Sequence, residues 1–193
     1  KRFLNKMDLM DCSFCTTSPD ILNFPKKNRV YYIPNPADDS FEDLHLYKKK
    51  TFNKDIFFAL SHGVHRGSLK KGKFDKREKF IDKLIKKIPN IKFDLYGFKN
   101  IQPIWADDFK KALSDSKMAL NLSQGSPKKY YSSDRITQLI GNGLLTFIDR
   151  KTMLDNFFKD DEVVFYNSLN DLSKKIVKYL ENNNLRIKIA KKG

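Results

Sequence analysis

Long apolar runs are missing from this sequence, and so is the ~18-residue stretch that a membrane-spanning helix needs. The opening KRFLNKMDLM does not read as a signal peptide. It reads as the middle of a helix, and so does the closing IAKKG, so we expect a piece cut from a longer chain at both ends. Cysteine is scarce: Cys12 and Cys15 are the two present, which excludes a disulfide framework. Their C-x-x-C spacing, with the H-x-x-H of His62 and His65, imitates a zinc site. Cys12 to Thr16 reads as a strand, however, and residues three apart on a strand point to opposite faces. A thioredoxin-like redox pair lacks its strand-then-helix context. Two reduced cysteines in a cytoplasmic protein is the plain reading. Neither G-x-G-x-x-G nor G-x-x-x-x-G-K-[ST] occurs, so a dinucleotide fingerprint and a P-loop are both excluded.

Arginine is scarce as well. The net charge of +15 suggests nucleic acid, but 31 of the 38 basic residues are lysine. Readers of base and phosphate favour arginine for its fork geometry, and these lysines are scattered through every helix. With abundant Asn, Ile and Phe they resemble the usage of an AT-rich genome. No specific nucleic-acid partner is expected; attraction to an anionic membrane surface suits the charge better.

What is present is alternation of strands and helices. Residues 1–50 hold one βαβ-sized piece, with strands at Cys12–Thr16 and Arg29–Ile33, followed by the stiff turn Pro34-Asn35-Pro36 and a polar linker. That piece cannot close a core alone, so we expect the tail of a preceding lobe and a crossing into residues 51–193. There Asp55–Leu60, Ile91–Tyr96, Ile101–Ile104, Met118–Leu122, Leu144–Ile148 and Val163–Tyr166 read as strands separated by helices. The fold class is α/β, a doubly wound, Rossmann-like parallel sheet in the spatial order 3-2-1-4-5-6. Strands one and four then lie side by side at the switch point, where such sheets bind ligands.

The loops leaving those two strands are Ser61–Gly67 and Ser123–Ser133. Gly63 and Gly67 would let backbone N–H groups approach a diphosphate, and Arg66 can pair with it; an ordinary loop with incidental glycines is the alternative. In the second loop, Ser132 or Ser133 can cap a helix carrying Ile136, Leu139 and Ile140 on one face. Gly143 sits where the helix end wants positive φ. A helix start presents free N–H groups and about half a positive charge, and Lys128, Lys129 and Arg135 add cations beside it. The residues thus point to a phosphate-bearing ligand. For Lys128 and Lys129 a solvated loop, and for Arg135 a surface salt bridge, stay open.

The combination IPNPADDSF, DIFFALSHGVHRG, FDLYG and SDSKMALNLSQGSPKKYYSSDRITQLIGNGLLTF resembles the carboxyl-terminal lobe of GT-B glycosyltransferases, most of all a spore-maturation-protein-like branch of family-four-type enzymes. Ile33, Pro34, Asn35, Asp38 and Phe41 match that family's crossing between lobes. Its Ser-x-Arg-x-Phe-Glu-Ala-x-Ala-x-Gly signature maps onto Ser133 to Gly143. The resemblance makes residues 51–193 the nucleotide-sugar-binding domain and implies transfer of sugar to a glycan or lipid-linked acceptor. It suggests cell-surface glycan synthesis on the cytoplasmic side of a bacterial membrane. Gly63, Arg66, Ser132, Ser133, Arg135 and Lys128 would hold the donor diphosphate. Tyr96, Gly97, Asp134 and Gln138 would border base and ribose, and His62 can meet donor sugar or phosphate. No metal or other cofactor is implied, and the catalytic base would sit on the preceding lobe, leaving this piece alone inactive. Gln138 replaces the family's ribose-binding Glu, and Tyr130 replaces the Glu eight positions earlier. These departures leave the stereochemical outcome open. They also keep a non-catalytic phosphate- or nucleotide-binding domain as the second reading, with a basic nucleic-acid module third.

Overall fold

A computed structural model describes residues 4–60, 76–123 and 125–193. The amino-terminal part is small. Strands β1 (Ser13–Cys15) and β2 (Val30–Tyr32) pair in parallel, Ser13 against Val30 and Cys15 against Tyr32. A 3-10 turn at Pro19–Ile21 lies between them, and a second, Leu46–Lys48, interrupts the linker that follows.

The main sheet has five parallel strands: β3 (Lys54–Ala59), β4 (Phe93–Tyr96), β5 (Ser116–Asn121), β6 (Leu145–Asp149) and β7 (Val164–Tyr166). Their order is β4-β3-β5-β6-β7. Helices α1 (Lys76–Lys87), α2 (Ala106–Ser114), α3 (Asp134–Gly141), α4 (Leu169–Glu181) and α5 (Asn183–Lys192) fill the crossovers and the carboxyl end. Alternation along β3 builds both faces. Ile56, Phe58 and Leu60 join a core with residues of α1, α4 and α5. Phe57 and Ala59 join a second core with Leu113 of α2 and Leu139 of α3. A strand covered on both sides must be apolar throughout, which is why DIFFAL does not alternate. Each buried Phe stabilises by roughly 2–3 kcal/mol relative to its exposed state.

The expected third strand at Ile101–Ile104 does not form. Ile101 N–H donates back to Phe98 O, and Gly97 N–H donates to Gln102 O, so these groups close local turns. Pro103 has no N–H for a ladder, and Ile101 remains exposed. Among the described residues the sheet therefore has five strands and ends at β4. The switch point stands as expected: β3 and β5 are neighbours, with Ile56 opposite Met118.

Gly97 shows how tightly the strand ends pack. It holds φ +64°, and a Cβ there would lie 1.9 Å from Leu60 O. Gly143, at φ +79°, ends α3 as its position suggests.

Candidate functional site

A cleft of ≈ 560 Å³ opens between the carboxyl end of β3 and the start of α3. Ala59 and Leu60 form its floor, and Ser133, Asp134, Arg135 and Gln138 of the α3 start form one wall. Ile104, Trp105 and Phe109, around the start of α2, form another, with Phe41 and Glu42 of the linker at the rim.

Ser133 is the residue before α3, in extended conformation, and its side chain makes no capping bond. The hydroxyl therefore remains for the cleft. Asp134 Oδ1 accepts from Asn35 Nδ2 at 2.8 Å, which ties the linker to the first residue of α3. Arg135 reaches further than the sequence suggests. Its Nη1 donates to Ala59 O at 2.9 Å, its Nη2 to Leu122 O at 2.5 Å, and its guanidinium lies over the Phe58 ring. It bridges the ends of β3 and β5 while lining the cleft.

Ser132 differs from expectation. It is 3% exposed, its N–H donates to Thr16 O at 2.8 Å, and its Oγ accepts from Asn35 N–H. With those partners it faces away from the cleft and anchors the loop to the amino-terminal piece. Ser18 N–H donating to Lys129 O completes that anchor, beside an ion pair between Lys129 and Asp20. Lys128 is exposed and is not a cleft wall. Tyr96 lines a neighbouring pocket with Asp94 and Asp108 instead, because strand alternation turns it toward the α2 face. Burial pushes the Asp94 carboxyl up, and burial with the Asp94 charge pushes the Tyr96 hydroxyl up. Gly97 serves the close approach to Leu60 described above. Gly63, Arg66 and His62 lie outside the described residues, as do Gly67 and His65. Cys15 Sγ donates to Thr17 O and Cys12 is half-buried.

Arg77 and Trp105 are among the cleft residues that escaped the sequence reading. Arg77, in the first turn of α1, is buried in the cleft wall; nothing in KREKF distinguishes it from its lysine neighbours. Trp105 carried a signal, being the single tryptophan and standing just ahead of a helix. It is 47% exposed, large for an indole, and Ala106 beside it takes the left-handed φ of +49°. Strain of that kind in a non-glycine residue gathers at binding sites.

A parallel sheet with a cleft at the carboxyl end of β3 fits many ligands. A family model described as glycosyl transferase-like matches residues 76–193. The chain belongs to that family. No curated protein matches it, but the crystal structure of TarM does. TarM superposes with a TM-score of 0.59 at 15% identity, covering 99% of this chain and 41% of its own. At that identity the likeness shows the fold alone, and this glycosyl transferase-like chain spans about two-fifths of TarM's length. Among the described residues, no helix is long and apolar enough to cross a membrane.

Proposed function

We propose that this chain is the donor-binding lobe of a nucleotide-sugar-dependent glycosyltransferase of GT-B form, in the spore-maturation-protein-like branch. One observation carries the reading: a single cleft joins the exposed Trp105 indole to the Ser133–Arg135 start of α3. An indole face suits a planar base. A helix start with a free hydroxyl suits a diphosphate. Gln138, in the same wall, can both donate to and accept from ribose hydroxyls.

In this reading an acceptor hydroxyl attacks the anomeric carbon while the bond from that carbon to the diphosphate oxygen breaks. The electron pair leaves with the nucleoside diphosphate, whose growing charge the α3 start and the Arg135 guanidinium stabilise. The hydroxyl proton goes to a base on a preceding lobe, of which residues 1–50 are the tail. The exposed Phe14 and Tyr31 on the outer face of β1–β2 support that division, since parallel sheets are normally covered on both faces. A glycan or lipid-linked acceptor, work on the cytoplasmic side of a membrane and no metal complete the proposal.

Calorimetric titration of the full-length chain with UDP, GDP and ADP tests it. Binding of one nucleotide in the micromolar to millimolar range is expected, with Trp105→Ala and Ser133→Ala each weakening it about tenfold. Failure of all three nucleotides to bind would sink the reading. Binding without sugar transfer, unchanged by Gln138→Glu, would favour a non-catalytic nucleotide-binding domain.

A further inference from the structure

Lysine is scattered along the sequence, but the fold sorts it. Helices α1, α4 and α5 pack on one side of the main sheet, and α2 and α3 on the other. The first three helices carry thirteen Lys and Arg against four Asp and Glu. The other two carry three against three. One helical layer is therefore basic and the other balanced.

The excess gathers on the outer surfaces of α1 and α4, which pack side by side. Ile81 and Leu84 turn inward on α1, while Lys79, Lys83, Lys86 and Lys87, at helical spacing, lie exposed. On α4, Leu172 and Ile176 turn inward and Lys174 and Lys178 lie exposed. Of the acids on these two helices, Asp82 already pairs with Lys99 and Asp171 with Lys175. Among the described residues, Lys83, Lys86, Lys87 and Lys174 form no ion pair. Like charges held this close repel, so the face gains from an anionic partner.

Residue types choose the partner. Arg77 and Arg186, the arginines of these three helices, are buried, and none of their aromatic side chains is exposed. A nucleic acid would find neither a guanidinium fork nor a ring to stack on. Ammonium groups on long stems suit a layer of lipid headgroups, where each adds about fivefold in affinity. We propose that the α1–α4 face docks on an anionic lipid surface. The inference rests on the membrane-side placement proposed above, and not on what the cleft binds.

Co-sedimentation of the full-length chain with vesicles, in the absence of nucleotide, tests it. Binding is expected to phosphatidylcholine vesicles containing about a third phosphatidylglycerol, and not to phosphatidylcholine alone. Raising the salt should release it. Lys83→Gln, Lys86→Gln and Lys87→Gln together should weaken binding about a hundredfold while keeping the melting temperature. The same replacement at Lys26, Lys111 and Lys151, exposed lysines outside α1, α4 and α5, should weaken it about threefold at most. The proposal is overturned if the mixed vesicles are not bound, or if both triple variants lose affinity equally. It is equally overturned if an RNA duplex binds more tightly than the vesicles at the same salt. Because no nucleotide is present, failure here leaves the donor-lobe reading standing.

Discussion

Arg135 Nη1 donates to the carbonyl of Ala59 across 2.9 Å, joining the first turn of α3 to the carboxyl end of β3. With Nη2 on Leu122 O, the same guanidinium ties the ends of the neighbouring strands β3 and β5 together beside the cleft. A residue read from sequence as a phosphate partner is thus also the brace of its own site.

Replacing that brace should cost stability as well as binding. Arg135→Ala is expected to lower the unfolding free energy by about 2 kcal/mol, since hydrogen bonds from a charged donor are among the stronger ones. Arg135→Lys should recover less than half, because an ammonium cannot fork between two carbonyls. Urea denaturation followed by circular dichroism measures both. Equal stability of the three proteins would refute the bracing role.

The glycines separate turn strain from steric exclusion. Gly125→Ala meets nothing within 4 Å and should cost only the strain of its φ of +74°, about 1 kcal/mol. Gly97→Ala adds a Cβ 1.9 Å from Leu60 O, where both partners are backbone, and should cost about 3 kcal/mol or more. Thermal unfolding of the two variants side by side checks the order.

Ion pairs should differ with burial. Asp55 is buried, receiving Lys117 Nζ at 2.8 Å and Lys92 N–H at 2.9 Å. Asp55→Ala leaves those donors unmatched at the start of β3 and is expected to cost about 3 kcal/mol. Asp161→Ala removes a pair with Lys192 that is exposed on both sides, and should leave stability unchanged. A matching loss in both would mean that burial is irrelevant to the Asp55 pair.

Alkaline pH should act through Tyr166. Burial, with a smaller contribution from Asp149, holds its hydroxyl well above the ordinary tyrosine range. Above pH ~10 the unfolded chain releases this proton and the folded chain keeps it, so stability falls as pH rises. Below that range the contribution is fully present. Urea unfolding at pH 9, 10 and 11 should show the decline, and Tyr166→Phe should flatten it. Tyr32, Tyr96 and Tyr179, also raised by burial, should leave a residual slope in the variant.

Much of the fold was legible because the determining forces are local. Two-sided burial makes β3 and β5 continuous apolar runs, and one-sided burial spaces Ile81, Leu84 and Ile88 along α1 and its end. Gly143 and the cap at Ser168 mark helix ends through backbone chemistry that needs no distant partner. Ile101–Ile104 misled because a tetrapeptide with an isoleucine at each end fits a strand or a turn equally. Only the hydrogen bonds closed by Phe98 and Gln102 decide between them.

The candidate site divides along the same line. That Ser133, Asp134, Arg135 and Gln138 lie at one helix start follows from their spacing in the chain. That Ser132 turns to Thr16, Arg135 to Ala59, and Trp105 into the same cleft does not, since each contact joins segments far apart in sequence. Sequence alone determined a doubly wound sheet and the start of α3 after β5, because period and helix-start chemistry are properties of neighbours. Which donors face the cleft and which hold the scaffold was decided by tertiary packing, because a hydrogen-bond donor goes to whichever acceptor folding brings within reach.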